Sequence, residues 1–166
     1  MTESAVSSSV IDPLAPWPAI PLAEAHAQLT AAGQPFEMEE RLIRGVNLRV
    51  WKNAPPTLRD VFVNSLAFKE RTFVVYQDER ADYDAFARAT LALAAELQAR
   101  GVQKGDRVAI IMRNLPEWPV AFFAAAISGA IATPLNAWWT GAELEYALVD
   151  SGAKLALVDI ERWQRI

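Results

Sequence analysis

Three short apolar runs, separated by two segments of helical length, are the feature that most constrains the fold of this chain. The runs lie at residues 108–112, 130–135 and 155–159, and none of them alternates with polar residues. Strands with this pattern are typical of a parallel sheet that is covered on both faces. Between Gly105 and Asp159 the sequence therefore predicts an α/β fold, in which a mainly parallel sheet is flanked by helices.

The residues upstream of the sheet predict a short helix and an antiparallel β-ribbon. Residues 22–32 are rich in alanine and are followed by Gly33, which favours a helix that stops there. From Arg41 to Trp51 apolar and polar side chains alternate around Arg44-Gly45, which indicates two paired strands and their turn. Residues 1–21 contain four prolines and a run of serines, so we expect an irregular or extended arm.

A strand and a long helix are expected between the ribbon and the sheet. Residues 71–77 are rich in β-branched and aromatic side chains and lead into a turn at Asp78-Glu79. Thr57 and Asp82 each stand where an N-cap residue opens a helix. The second of these helices has an apolar stripe at helical spacing: Tyr83, Phe86, Ala87, Thr90, Leu93, Ala94 and Leu97.

Two four-residue patterns predict capping boxes in the sheet region. Residues 114–117 (Asn-Leu-Pro-Glu) and 140–143 (Thr-Gly-Ala-Glu) each place a capping side chain three residues before a glutamate. Gly101 and Gly105, in contrast, follow a helix and precede a strand. A phosphate-binding loop needs the opposite order, because helix N-terminal amides must meet the anion. These two glycines are therefore interpreted as turn residues.

Composition narrows the functional classes. The chain has 16 basic and 20 acidic residues, a net charge of −4, which argues against a nucleic-acid partner. It contains no cysteine, which excludes disulfides and thiolate metal ligands from these residues. The longest apolar run, residues 120–132, is shorter than the roughly 20 residues that span a bilayer, so no transmembrane segment is expected.

The sequence divides into an N-terminal arm and one domain. Residues 1–35 are acidic and rich in proline, serine and alanine, without the basic residues of a secretory signal or a transit peptide. Residues 36–166 hold the ribbon and the sheet region. Because no targeting signal is recognised, the cytoplasm is the expected location.

The residues of this chain form no set typical of catalysis or metal binding. His26 is the only histidine and has no partner signal. Ser151 lacks the Gly-x-Ser-x-Gly elbow of a nucleophilic serine, so a triad with His26 and Asp150 is rejected. Two pairs of carboxylates are explained by capping and by the helix dipole: Asp82 with Asp84, and Glu143 with Glu145. We predict neither catalytic residues nor metal ligands.

The loop at residues 136–140 has the position of a ligand-binding loop. It follows a strand and precedes a helix, where open α/β sheets bind their ligands. One interpretation is that the adjacent indoles of Trp138 and Trp139 stack on a purine or cover an acyl group. The other is that they pack against another part of a larger protein, as tryptophan does at interfaces. Asn136, Trp138 and Trp139 are the candidate cofactor-binding residues.

Four segments, taken in their order and spacing, resemble acyl-CoA synthetases. They are residues 101–110 (Gly-Val-Gln-Lys-Gly-Asp-Arg-Val-Ala-Ile), 114–117, 129–136 and 143–154. These enzymes belong to the adenylate-forming superfamily, together with luciferases and peptide-synthetase adenylation domains. Residues 43–58 also resemble the leader of bacterial fatty-acid-type members. The resemblance extends over residues 36–166 and implies the N-terminal part of the AMP-binding domain, ending before its phosphate loop.

The resemblance implies a reaction that this chain does not complete by itself. Family members activate a carboxylate with ATP and Mg²⁺, forming an acyl-adenylate and pyrophosphate, and then transfer the acyl group to CoA with release of AMP. Their phosphate loop, Tyr-Gly-x-Thr-Glu stretch, ribose-binding aspartate and late catalytic lysine have no counterpart in these 166 residues. The expected function is thus that of an inactive N-terminal fragment of a fatty-acid or aromatic-acid CoA ligase. ATP, Mg²⁺ and CoA serve the parent enzyme, and the chain alone is expected to bind none of them.

The resemblance assigns no firm role to the candidate loop. Residues 136–141 can lie near CoA in some family members, but Trp138 and Trp139 stand where a CoA contact would use small glycines. An alternative function is a non-catalytic α/β binding or scaffold module. A general nucleotide-binding domain is a weaker alternative, because the sequence lacks a glycine-rich anion loop.

The expected partners are the remainder of the parent enzyme and further copies of the chain. Helices and strands built to pack against later residues would leave apolar surface exposed, and such patches drive association. We expect a dimer or a larger assembly, with Trp138, Trp139 or Trp163 near a contact.

Overall fold

The computed structural model describes residues 19–166, so most of the arm predicted over residues 1–21 lies outside the described residues. Contacts between residues group the chain into two units, Met1–Ala54 and Pro55–Ile166, called here the first and the second unit. The division between arm and domain at residue 35 stays a prediction.

The described part of the first unit consists of one helix and the antiparallel ribbon. Helix α1 (Leu22–Thr30) stops two residues before its predicted end, because Ala31 already has extended backbone. Strands β1 (Met38–Ile43) and β2 (Val46–Trp51) pair over their whole length, which confirms the ribbon and starts it three residues earlier than predicted. The predicted turn at Arg44-Gly45 is also confirmed: both residues have positive φ, as in the two-residue turns that match the twist of paired strands.

The second unit opens with two helices that flank a β-hairpin. Its first elements are helix α2 (Leu58–Ser65), strand β3 (Thr72–Tyr76), strand β4 (Glu79–Asp82) and helix α3 (Tyr83–Ala99). Both predicted N-caps are confirmed, since Thr57 and Asp82 accept hydrogen bonds from backbone amides in the first turns of α2 and α3. The predicted hairpin turn is wrong by one residue: Gln77 has positive φ and Glu79 already pairs with Tyr76.

A three-stranded parallel sheet follows. Strand β5 (Arg107–Ile111) lies between β6 (Ile131–Pro134) and β7 (Leu155–Val158), and both neighbours are parallel to it. The remaining helices are α4 (Glu117–Ile127), α5 (Gly141–Ser151) and the short α6 (Ile160–Trp163). The α/β fold with a parallel sheet, helices and a preceding antiparallel ribbon is confirmed.

Both faces of the central strand are covered. Val108 packs with Leu97 of α3 and with alanines of α4, whereas Ala109 and Ile111 pack on the opposite face with Leu144 of α5. These strand residues are completely buried, which explains why the strand shows no polar alternation. Helices α4 and α5 therefore cross opposite faces, and the strand order reverses between β5 and β7.

The capping box predicted at residues 114–117 is wrong. Helix α4 begins at Glu117, Pro116 takes the N-cap position, and no side chain caps the helix. A residue before proline is disfavoured in helical conformation, so Leu115 cannot join the helix, and Asn114 is left too far upstream to cap it. Pro119 is only the third residue of α4, where a missing N–H removes no helical hydrogen bond.

Candidate functional site at the carboxyl edge of the sheet

The carboxyl ends of β5 and β6 frame a cavity of about 420 Å³ in the second unit. Parallel strands bring their carboxyl ends to the same edge, where open α/β sheets bind ligands. Six of its lining residues have polar or aromatic side chains: Tyr76, Arg113, Asn114, Trp118, Asn136 and Trp138. The structure thus places two of the three candidate residues, Asn136 and Trp138, on one cavity; Trp139 does not line it.

The two adjacent indoles have different environments. Trp138 is 72% exposed at the cavity, whereas Trp139 is half-buried and packs beside Leu144 in the core under α5. The Asn136 side chain accepts a hydrogen bond from the Trp138 amide at 2.9 Å, and its carbonyl accepts one from the Trp139 amide at 3.1 Å. Such Asx geometry orders a turn. Asn136 therefore shapes the loop, Trp139 anchors it and Trp138 is presented to solvent.

Arg113 is a cavity residue that sequence reasoning missed. It directly follows β5, so the rule that ligands bind beyond strand ends was the available signal. Its Nη2 lies 3.3 Å from a carboxylate oxygen of Glu161, while its Nε is buried without a hydrogen-bond partner among the described residues. The cavity is therefore lined by a guanidinium that is paired with Glu161.

Asp159 directly follows β7, the strand that pairs with β5 on the side opposite β6. Its carboxylate accepts hydrogen bonds from the Arg113 amide at 3.0 Å and from the Arg162 amide at 2.9 Å, which caps α6. Burial acts to raise the pKa of Asp159, but these two amides and the Arg162 charge outweigh it, so the pKa lies below its ordinary value. The ionised carboxylate links the ends of β5 and β7, where the strand order reverses.

Arg162 is a second residue that the sequence did not single out. Only 1% of its surface is exposed, although it is charged. Its Nε donates to the Ala137 carbonyl at 3.0 Å, and its Nη1 lies 2.6 Å from a carboxylate oxygen of Glu161. Its guanidinium carbon lies 5.4 Å from the centroid of the Trp138 ring. Helix α6 thus contacts the candidate loop through a buried arginine.

The capping box predicted at residues 140–143 is confirmed. Thr140 Oγ1 accepts from the Glu143 amide at 3.4 Å, and Glu143 Oε2 accepts from the Thr140 amide at 2.8 Å. Hydrogen bonds from the Thr140 amide and then from its hydroxyl lower the pKa of Glu143. A lowered pKa suits a capping carboxylate rather than a general acid, which would need a raised one.

Gly141, the first residue of α5, is expected to reject any larger side chain. A Cβ built there would lie 2.7 Å from the Arg165 carbonyl oxygen, which is closer than real Cβ contacts. Alanine normally favours a helix over glycine by roughly 0.5–1 kcal/mol. In Gly141→Ala we instead expect a loss of about 1–3 kcal/mol in the free energy of unfolding, measured with urea, because the backbone must shift.

A matched background isolates that steric effect. Removal of Arg165 and Ile166 deletes the carbonyl that the new Cβ would meet. In that shortened chain Gly141→Ala should be neutral or stabilising, whereas a stabilising effect in the 166-residue chain would contradict the close contact.

His26 and Ser151 have the environments of ordinary helix residues. His26 is an exposed residue of α1, and the Ser151 hydroxyl donates to the Leu148 carbonyl within α5 at 3.2 Å. Within residues 19–166, no group of three or more histidine, cysteine, aspartate or glutamate side chains is arranged to hold a metal ion. No helix in the same range has both the length and the apolar character needed to cross a membrane.

Comparison with known proteins connects this region to one family. Residues 62–165 match the model of the AMP-binding enzyme family. The chain belongs to the AMP-binding enzymes. The match begins within α2 and extends beyond α6, so every residue that lines the cavity lies inside the family region. The resemblance to the adenylate-forming superfamily is therefore confirmed.

Individual AMP-binding relatives are CoA ligases. The long-chain-fatty-acid–CoA ligase of Escherichia coli O157:H7 is 36% identical over 104 residues, which are 61% of this chain and 18% of that protein. The long-chain-fatty-acid–CoA ligase of Bacillus subtilis (strain 168) is 33% identical over 96 residues, 57% of this chain and 17% of that protein. The chain spans less than a fifth of the length of these relatives.

A solved structure supports the same fold. The N-terminal subdomain of Klebsiella oxytoca NpsA, in complex with anthranilyl-AMSN, superposes with a TM-score of 0.61 at 26% identity. The superposition covers 66% of this chain and 28% of that one. This AMP-binding segment is therefore similar to part of an N-terminal subdomain.

Proposed function

We propose that this chain forms the first part of the large domain of an ATP-dependent acyl-CoA ligase that acts on fatty or aromatic acids. The whole enzyme would convert a carboxylate, ATP and CoA into acyl-CoA, AMP and pyrophosphate, using Mg²⁺. The observation that carries the proposal is the family match over residues 62–165, together with CoA ligases among the relatives. The partner of the chain in this proposal is the rest of that enzyme.

The cavity at the sheet edge is the part of the chain that would meet a ligand. Trp138 offers an exposed flat indole, and Arg113 adds a guanidinium that is paired with Glu161. Binding sites commonly combine apolar surface with a few polar groups that fix orientation. In the proposed enzyme Trp138 contacts CoA, Arg113 attracts its negative groups, and Asn136 and Trp139 support the loop.

The 166 residues alone are proposed to form no acyl-adenylate. Their sequence contains neither the phosphate loop nor the late lysine with which related enzymes handle ATP. The described residues instead supply a folded sheet with an open cavity at its carboxyl edge. In this proposal the isolated chain is a non-catalytic scaffold that binds no cofactor by itself.

A chimeric enzyme tests the proposal. Residues 62–165 replace the matching segment of the Escherichia coli ligase, and AMP formation is followed with palmitate, ATP and CoA. We expect measurable acid-dependent activity, reduced by up to about 10²-fold, because a misplacement of about 1 Å can cost that much. The same ligase without the segment is the negative control.

Two results would contradict parts of this proposal. A chimera that folds but forms no AMP would reject the assignment to the ligase domain. Acid-dependent exchange of pyrophosphate into ATP by the isolated 166-residue chain would reject its inactivity. The chimera therefore tests the assignment to the ligase domain, and the exchange assay separately tests the inactivity of the isolated chain.

Two expectations remain predictions within this proposal. Self-association would use exposed apolar side chains, of which Trp138 is 72% and Trp163 is 64% exposed. Trp139, packed beneath α5, is less suited to such a contact. The cytoplasmic location likewise remains an expectation from the sequence.

A further inference from the structure

Arg162 is enclosed in a way that requires specific partners. A guanidinium removed from water must recover its hydration through ion pairs and hydrogen bonds. Asp159 and Glu161, which both precede it in the sequence, supply carboxylates to Nη1. Its Nε is satisfied by the Ala137 carbonyl at 3.0 Å, 25 residues away. The side chain therefore joins α6 to the candidate loop.

The contacted carbonyl belongs to the residue between two of the candidate residues that line the cavity. Ala137 is itself 8% exposed and separates Asn136 from Trp138. The Arg162 guanidinium also approaches the Trp138 ring, with 5.4 Å between its carbon and the ring centroid, within the range of a cation–π contact. One arginine thus holds both the backbone and the aromatic side chain of the loop, while most of the indole stays exposed.

Arg165 provides a comparison on the same chain segment. Its Nη1 also approaches the Ala137 carbonyl, at 3.4 Å, but its side chain is exposed. A longer, solvent-exposed hydrogen bond contributes little, because water competes for both groups. The two arginines therefore share a partner but differ in their expected influence on the loop.

We propose that Arg162 is a positioning residue, which holds Ala137 and Trp138 in the geometry that presents the indole to CoA. The proposal rests on the function proposed above, in which Trp138 contacts CoA. Arg162 does not touch the ligand; it acts through the loop. Arginine suits this role because its rigid fork can engage a carbonyl and carboxylates at the same time, which lysine cannot reproduce.

The geometric part of the proposal is tested without any ligand. The 166-residue chain is labelled with 5-fluorotryptophan, and the Trp138 resonance is assigned with Trp138→Phe. In Arg162→Met we expect this resonance to move and broaden, because the cation over the ring and the bond to Ala137 are both lost. The resonance of Trp118, whose ring stacks on Phe122 in the second unit, should stay and reports that this unit is folded.

Two further variants make the result decisive. Arg162→Lys keeps a charge beside Asp159 but not the fork, so the Trp138 resonance should move partway. Arg165→Met should leave it nearly unchanged. If Arg162→Met unfolds, the lysine variant decides the question. An unchanged Trp138 resonance in either folded Arg162 variant would overturn the positioning role.

The functional part uses the chimeric ligase. If Arg162→Met leaves the loop correctly placed in about a tenth of the molecules, the apparent affinity for CoA falls about tenfold. We therefore expect KM for CoA to rise by about that factor, while acid-dependent pyrophosphate exchange, which precedes CoA entry, is unchanged. A decrease in pyrophosphate exchange without a change in KM for CoA would contradict the positioning role of Arg162. An inactive chimera would reject the proposed function. The fluorine resonance of Trp138 in the 166-residue chain would still test whether Arg162 positions the loop.

Discussion

Replacement of Phe86 by alanine should lower the free energy of unfolding of the second unit by about 3–5 kcal/mol. Phe86 is 4% exposed, and its ring lies 4.3 Å from that of Phe73 and 5.8 Å from those of Phe62 and Phe123, measured between centroids. These four rings belong to α2, β3, α3 and α4. Their removal from water and their edge contacts hold the four elements together.

A second variant on the same helix provides the control. Leu91 also lies on α3 but is 53% exposed. Leu91→Ala should change the free energy of unfolding by no more than about 0.5 kcal/mol, because the substitution removes little apolar surface that is buried in the folded state. Urea unfolding followed by circular dichroism measures both variants. Similar losses in the two variants would show that the aromatic cluster does not stabilise the second unit.

Replacement of Asp159 by alanine should cost about 3–5 kcal/mol, because it leaves the Arg162 charge buried with one partner fewer. The variant also removes the acceptor for the Arg113 amide and the cap of α6. Both lost interactions lie at the edge of the sheet. We therefore expect α6 and the candidate loop to become more mobile in this variant. Asp150→Ala, at an exposed position of α5, is the matched control and should change stability by no more than about 0.5 kcal/mol.

The pH dependence separates the charge of Asp159 from its shape. Because the pKa of Asp159 is lowered in the folded state, its ionised form stabilises the protein above the ordinary aspartate pKa of about 3.9. That contribution is lost as the pH falls through the lower folded-state value. The stability difference between the wild type and Asp159→Asn should therefore be largest near neutral pH and shrink in acid. A difference that grows in acid would contradict the assignment.

Elements specified by neighbouring residues were predictable from the sequence. The capping box at Thr140 depends on a pattern of four residues, and the turn at Arg44-Gly45 on an alternation that breaks at that point. The parallel sheet was also correctly predicted to be covered on both faces, as its central strand β5 shows. In each case the physical cause, a local hydrogen bond or a repeat of apolar side chains, acts within the element itself.

The errors arose where a backbone restriction or a register outweighed the pattern. Asn114 has the spacing of a capping residue, but the proline two positions later moves the helix start to Glu117. The hairpin turn lies at Gln77-Asp78 rather than one residue later, because pairing of Tyr76 with Glu79 sets the register. Neither restriction is visible in a search for N-cap or turn residues.

The candidate site shows the same division between local and distant causes. The position of the loop after β6 was enough to select Asn136 and Trp138, but adjacent tryptophans look alike in the sequence. The fold buries part of Trp139 under α5 and leaves Trp138 exposed at the cavity. Which indole can meet a ligand was therefore decided by packing.

By itself the sequence determined the family, the α/β class and the loop that lies at the carboxyl edge of the sheet. Only the tertiary structure decided which side chains hold that edge together. The hydrogen bonds of Arg162 to Ala137 and of Arg113 to Asp159 join residues 25 and 46 positions apart. Local patterns cannot predict such pairs, because the burial that makes a charged group seek a distant partner exists only after the chain has folded.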